Sequence, residues 1–113
     1  MTGPSSAPND SIAELIGILG VEETRGLVHT YLKEYDSLIR IMVAGSREEQ
    51  HRATHSLKSS SHCIGLFSLS SYLKALEAKL SQPLGTVTKD DITGVIAEFQ
   101  RTIKPLKDFA EGK

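Results

Sequence analysis

Apolar residues return every three or four positions along most of this chain and nowhere alternate for long, so the pattern predicts helices rather than strands. Ile12, Leu15, Ile16 and Leu19 mark a first short helix, with Asp10 or Ser11 as its cap and Gly20 as its end. Leu27, Val28, Tyr31, Leu32, Tyr35, Leu38, Ile39 and Met42 build one broad apolar face on a longer helix from about Glu22 to Ala44. Ser46 is placed to cap a third helix, about Arg47 to Ile64, with Glu49 at the capping-box position and Gly65 as its stop. Leu66 and Phe67 then fall in a turn, and Ser68 caps a fourth helix to about Leu80 whose core stripe is Leu69, Leu73, Leu76 and Leu80. Beyond a loop bearing Pro83 and Gly85, Thr88 caps a last helix with Asp90 and Asp91 in its first turn, where the helix dipole favours negative charge. Ile92, Val95, Ile96, Phe99, Ile103, Leu106 and Phe109 form its apolar side, and Pro105 is expected to kink or break it.

Short connections between amphipathic helices imply antiparallel neighbours. The expected fold is therefore all-α, an antiparallel four-helix bundle with a short additional N-terminal helix. Residues 1–9 are rich in Pro, Ser, Gly and Ala and read as a flexible N-terminal tail, leaving 10–113 as one helical domain.

Composition narrows the function classes. With 113 residues, 39% of them hydrophobic and 24% charged, the chain suits one core and one soluble domain. A net charge of −1 with scattered Lys and Arg gives no basic stripe for nucleic-acid phosphates, so no nucleic-acid partner is expected. The single cysteine, Cys63, excludes an internal disulfide framework and fits a reducing compartment. No apolar run reaches the roughly 20 residues that span a bilayer, so no membrane partner is expected. The opening residues lack a basic segment followed by an apolar one. A cytoplasmic protein is expected, and the lack of a spare apolar stripe favours a monomer.

The third helix carries the unusual chemistry. Taking Ala53 as zero and advancing about 100° per residue, Leu57, Ser60 and Ile64 fall within roughly 40° and mark the core face. His51, His55, Lys58 and His62 fall at about 140° to 200°, facing water, with Ser59 a little beyond. Cys63, near 280°, sits beside the core face and reads as a small buried or half-buried filler. A solvated face is the ordinary explanation for an exposed histidine. The surroundings of His55 point further. An exposed imidazole titrates near pH 6.5, so at neutral pH one ring nitrogen offers a lone pair to an electrophilic phosphorus. Lys58, one turn on, can present its ammonium to phosphoryl oxygens, and Ser59 is small enough to let a partner surface approach.

Other chemistry is thin. Glu48 and His51 have the spacing of a di-iron bundle motif, but no second copy accompanies them and both point outward, so no metal site is expected. Ser59, Ser60 and Ser61 lack the Gly-rich turn of a phosphate loop.

The stretch from Ala53 to Leu80, "ATHSLKSSSHCIGLFSLSSYLKALEAKL", resembles the signature of histidine-containing phosphotransfer (HPt) domains of two-component phosphorelays. His55, Leu57, Lys58, Ser60, Gly65, Leu69, Leu76 and Glu77 stand in register with that pattern, and the likeness extends over roughly residues 10 to 110. The resemblance implies that His55 accepts a phosphoryl group on Nε2 from the aspartate of one response-regulator receiver domain and passes it to another. It implies that Lys58 stabilises the phosphoryl charge and that Glu77, at a position often held by Gln, orients the His55 ring. Ser59, His62 and Lys74 flank the expected docking face, with Leu66 and Phe67 as candidate apolar contacts. The implied partners are receiver domains and a hybrid sensor histidine kinase. The receiver supplies Mg²⁺, so the chain needs no cofactor of its own and is a phosphocarrier rather than an enzyme. Two departures stand out: Ser59 replaces a usual Gly, and His62 a usual Ala or Ser. The alternative is a helical interaction module that binds receivers or other signalling proteins without taking phosphate.

Overall fold

The structure, a computed structural model, describes residues 7–112. Six helices follow one another: α1 Asp10–Leu19, α2 Val21–Ala44, α3 Arg47–Cys63, α4 Phe67–Leu80, α5 Lys89–Thr102 and α6 Lys104–Ala110. The four helices α2 to α5 form the antiparallel bundle, α1 packs on α2, and α6 carries on from α5 along α2, so that Phe99 meets Tyr35 and the Phe109 carbonyl meets Arg25. Its extents are 52 × 20 × 19 Å, and α2, with 24 residues and a length of about 36 Å, runs over only part of the long axis. Among the described residues no helix is long and apolar enough to cross a membrane.

Most of the local signals act where the pattern puts them. Ser46 and Glu49 close a capping box on α3, and Thr88 and Asp91 close another on α5. Pro105 breaks the last helix: α5 ends at Thr102, and the proline sits in the first turn of α6, where its missing N–H costs nothing.

Two caps differ from expectation. The α1 cap is Asn9, not Asp10 or Ser11: its side chain accepts from the Ile12 N–H at 2.8 Å while its amide donates to the Ile64 carbonyl at 2.9 Å. One side chain thus starts α1 and satisfies the carbonyl that follows α3. Of the segment expected as a tail, residues 1–6 lie outside the described residues. The second difference is Ser68, which caps nothing. Gly65, at φ 87°, ends α3 in a Schellman motif, in which the Leu66 N–H reaches the Ser61 carbonyl and the Gly65 N–H reaches the His62 carbonyl. Leu66 buries its side chain in that turn, so α4 starts at once with Phe67. A Cβ on residue 65 would lie 2.5 Å from the Asn9 side chain, so glycine is required there twice over.

Asn9→Ala is expected to lower stability by about 1–2 kcal/mol, since it removes a helix cap and strands a carbonyl. A urea titration checks this, and an unchanged midpoint would refute the clamp.

The core runs through Ile12, Val28, Met42, Leu57, Leu69, Leu73, Val95 and Leu106, all essentially inaccessible. Tyr35 stacks on Phe99 with ring centroids 3.5 Å apart. Polar groups enter it as well. Ser61, fully buried, shares a 2.8 Å hydrogen bond with the Tyr31 hydroxyl, whose pKa burial pushes up to about 12. Thr54, also fully buried, donates to the Gln50 carbonyl one turn back. With Thr54 and Ser61 inside, the true core direction of α3 is rotated toward them from the Ala53–Ser60 line. That rotation has two effects: Cys63 is exposed, not packed as filler, and Lys58 lies on the flank of α3 rather than opposite the core.

At the far end of the bundle Arg47, the first residue of α3, fastens the end of α4. Its guanidinium donates to the carbonyls of Leu80 and Gly85 at 2.8 Å, and to that of Gln82. Lys79 then pairs with Asp91 at 2.6 Å, joining α4 to α5. Burial works against the ionised Asp91, but Lys79 and the Thr88 cap more than offset it and hold the carboxyl below the usual range.

Candidate functional site

The flank position of Lys58 matters because α4 runs beside it. Ser70 donates to the Lys58 carbonyl at 3.1 Å, seating α4 against α3, and two turns further on Glu77 meets both candidate residues. Its carboxylate bridges them: Oε2 lies 2.6 Å from His55 Nδ1 and Oε1 2.7 Å from Lys58 Nζ. The Glu77 side chain is 19% exposed and that of Lys58 25%, whereas His55 remains 58% exposed. Glu77 and Lys58 are therefore largely withdrawn, and the ring stands out in solvent.

Lys58, in the first place, and then His55 hold the Glu77 carboxyl below its ordinary range, against an upward push from partial burial. An ionised carboxylate only accepts hydrogen bonds, so the proton between it and the ring belongs to His55 Nδ1. The tautomer follows. In the neutral ring Nε2 then carries the lone pair, on the edge turned away from Glu77. The arrangement presents a nucleophilic nitrogen to solvent, with an anion that stabilises positive charge on the ring and an ammonium one helical turn away.

Sequence reasoning put His55 and Lys58 on one stretch of α3 and Glu77 on α4, and these three come together. Lys58 differs in detail, since its ammonium is paired with Glu77 rather than standing free. Ser59, His62 and Lys74 are all exposed and line one shallow groove between α3 and α4, together with Lys58, Cys63 and Ser70. His62 lies tilted against Phe67, ring centroids 5.0 Å apart and planes at 53°, and Phe67 is still 54% exposed. Leu66, the other candidate apolar contact, is buried in the Schellman turn and presents nothing outward.

A second groove, between α2 and α3, opens beside His55 and is lined by Glu34, Ser37, Leu38, Ser56, Ser59 and Ser60. Its α2 wall escaped the sequence reading. Glu34, Ser37 and Leu38 do share one helical face at three- and four-residue spacing, but nothing in the sequence says which neighbour that face meets. Among the described residues no group of three or more His, Cys, Asp or Glu side chains is placed to hold a metal ion.

The fold and this site define the chain as an all-α bundle bearing an exposed histidine whose Nδ1 is held by a carboxylate shared with a lysine. Comparison with protein-family models, curated proteins and solved structures returns no match.

Proposed function

We propose that this chain is a phosphocarrier of the HPt kind, which takes a phosphoryl group from a receiver-domain aspartate onto His55 Nε2 and returns it to the aspartate of another receiver. The observation that carries the reading is the Nδ1–Glu77 contact, which fixes the ring and leaves Nε2 as the outward nucleophile. In the forward step the Nε2 lone pair forms a bond to phosphorus while the bond between phosphorus and the aspartyl oxygen breaks, its electrons returning to the carboxylate. Lys58 has three ammonium protons and uses one toward Glu77, so two are left for the phosphoryl oxygens. The receiver supplies Mg²⁺, and the bundle has no kinase activity of its own. Monomeric, cytoplasmic action between a hybrid sensor kinase and response regulators completes the proposal.

The test is phosphotransfer from a panel of phosphorylated receivers, read as acid-labile, base-stable label on the chain. Lys58→Ala is expected to retain full helicity and to slow transfer on the order of a hundredfold, the scale of losing one charge-stabilising donor. Unchanged kinetics would remove Lys58 from the mechanism. A receiver that binds yet transfers nothing would make the chain an interaction module instead.

A further inference from the structure

We propose that Glu77 does more than aim the His55 ring: as a carboxylate it keeps the proton on Nδ1 after Nε2 has been phosphorylated, which makes the phosphohistidine short-lived and quick to release its phosphoryl group. This inference rests on the phosphocarrier reading.

The argument is one of leaving groups. When Nε2 attacks phosphorus its lone pair becomes the N–P bond, the P–O bond to the donor carboxylate breaks, and the Nδ1 proton stays, so the product ring is a phosphoimidazolium cation. Breaking the N–P bond from that cation expels neutral imidazole. If the Nδ1 proton is first lost, the same cleavage must expel an imidazolate anion, a far poorer leaving group. Whatever faces Nδ1 therefore sets the lifetime of the adduct.

Here that group is an anion 2.6 Å away. Ionised Glu77 accepts but cannot donate, so it favours the protonated ring and gives the deprotonated ring no partner. A neutral amide behaves differently: by rotating, it accepts from Nδ1–H or donates to the bare Nδ1, and so tolerates both forms. Lys58, at 2.7 Å from the other oxygen, keeps Glu77 ionised while the adduct forms. Other charged and titratable groups on the elements that carry or adjoin the ring include Glu34 of α2 in the adjoining groove, His51 on α3 one turn before it, and Lys74 of α4 one turn before Glu77. All of them are common to the wild type and the variant compared below.

Potassium phosphoramidate phosphorylates exposed histidines without any receiver, so the adduct is made directly on the folded chain. Its decay is followed by ³¹P NMR from mildly acidic to mildly alkaline pH, with the His55 signal assigned by its absence in His55→Gln. Glu77→Gln is isosteric and keeps an acceptor for Nδ1–H, so a purely orienting role would survive it. The expected result is a decay profile whose midpoint moves about one pH unit lower in Glu77→Gln, with a lifetime at neutral pH about tenfold longer. Superimposable profiles would overturn the inference while leaving the phosphocarrier reading in place. Failure of His55 to take up phosphate while His51 and His62 do so would overturn both. Failure of every receiver to transfer label, with the profiles displaced as expected, would remove only the relay.

Discussion

On the phosphocarrier reading, His55→Gln is expected to leave a bundle as stable as the wild type that takes up no phosphoryl group from any receiver. The amide of glutamine has no lone pair to offer phosphorus, because its nitrogen electrons are delocalised into the carbonyl, so transfer falls to background. Stability is spared because the ring is 58% exposed and the interaction it gives up is a surface contact with Glu77. Such pairs contribute about 0–1 kcal/mol, and Glu77 retains Lys58 as a partner. Label on the wild type alone, with coincident thermal melts, is the expected outcome. A variant that melts early would make His55 a structural residue, and label that persists would move the acceptor elsewhere.

Leu57→Ala gives the opposite pattern two residues away. Leu57 is fully buried in the centre of the core, so truncation removes its apolar area from burial and leaves a cavity that neighbouring helices fill only partly. The cost is about 2–5 kcal/mol, a large share of the roughly 5–15 kcal/mol that holds a domain together. At about 4–8 °C per kcal/mol for a chain of this size, the melting temperature falls by about 8 °C or more. Below its midpoint the variant still carries His55, Lys58 and Glu77 and, on the phosphocarrier reading, is expected to accept phosphate. A shift of only a degree or two would mean that the core face of α3 has been misplaced. Together the two variants separate the faces of one helix.

Where interactions span only a turn or two, the residues announce them. The boxes at Ser46–Glu49 and Thr88–Asp91, the stop at Gly65 and the break at Pro105 all act within a few residues of themselves, and all appear in the structure. What escaped was set by distant partners or by hydroxyls. Asn9 caps α1 in company with a carbonyl 55 residues on. Thr54 and Ser61 count as polar in any periodicity, yet each finds a buried hydrogen-bond partner and so costs little to bury. Ignoring them turned the α3 wheel, which put Cys63 inside and Lys58 outside. The candidate site suffered less because His55 lies far enough round the helix to face water under either setting. The bridging role of Glu77 toward Lys58 depended on the register of α4 against α3, which no single-helix pattern contains.

That register is held from afar. Arg47 grips the last carbonyl of α4 and two in the loop beyond it, so the two helices bearing the site are pinned where they begin and end, about four to five turns from where Gly65 joins them. Neither helix can creep along the other without breaking the guanidinium contacts at one end or the Schellman turn at the other. The spacing between His55 and Glu77 is therefore held from both ends of the helix pair, and on the proposed reading it is set before a partner docks. Amide hydrogen exchange at the end of α4 should accordingly slow or quicken together with exchange at the start of α3.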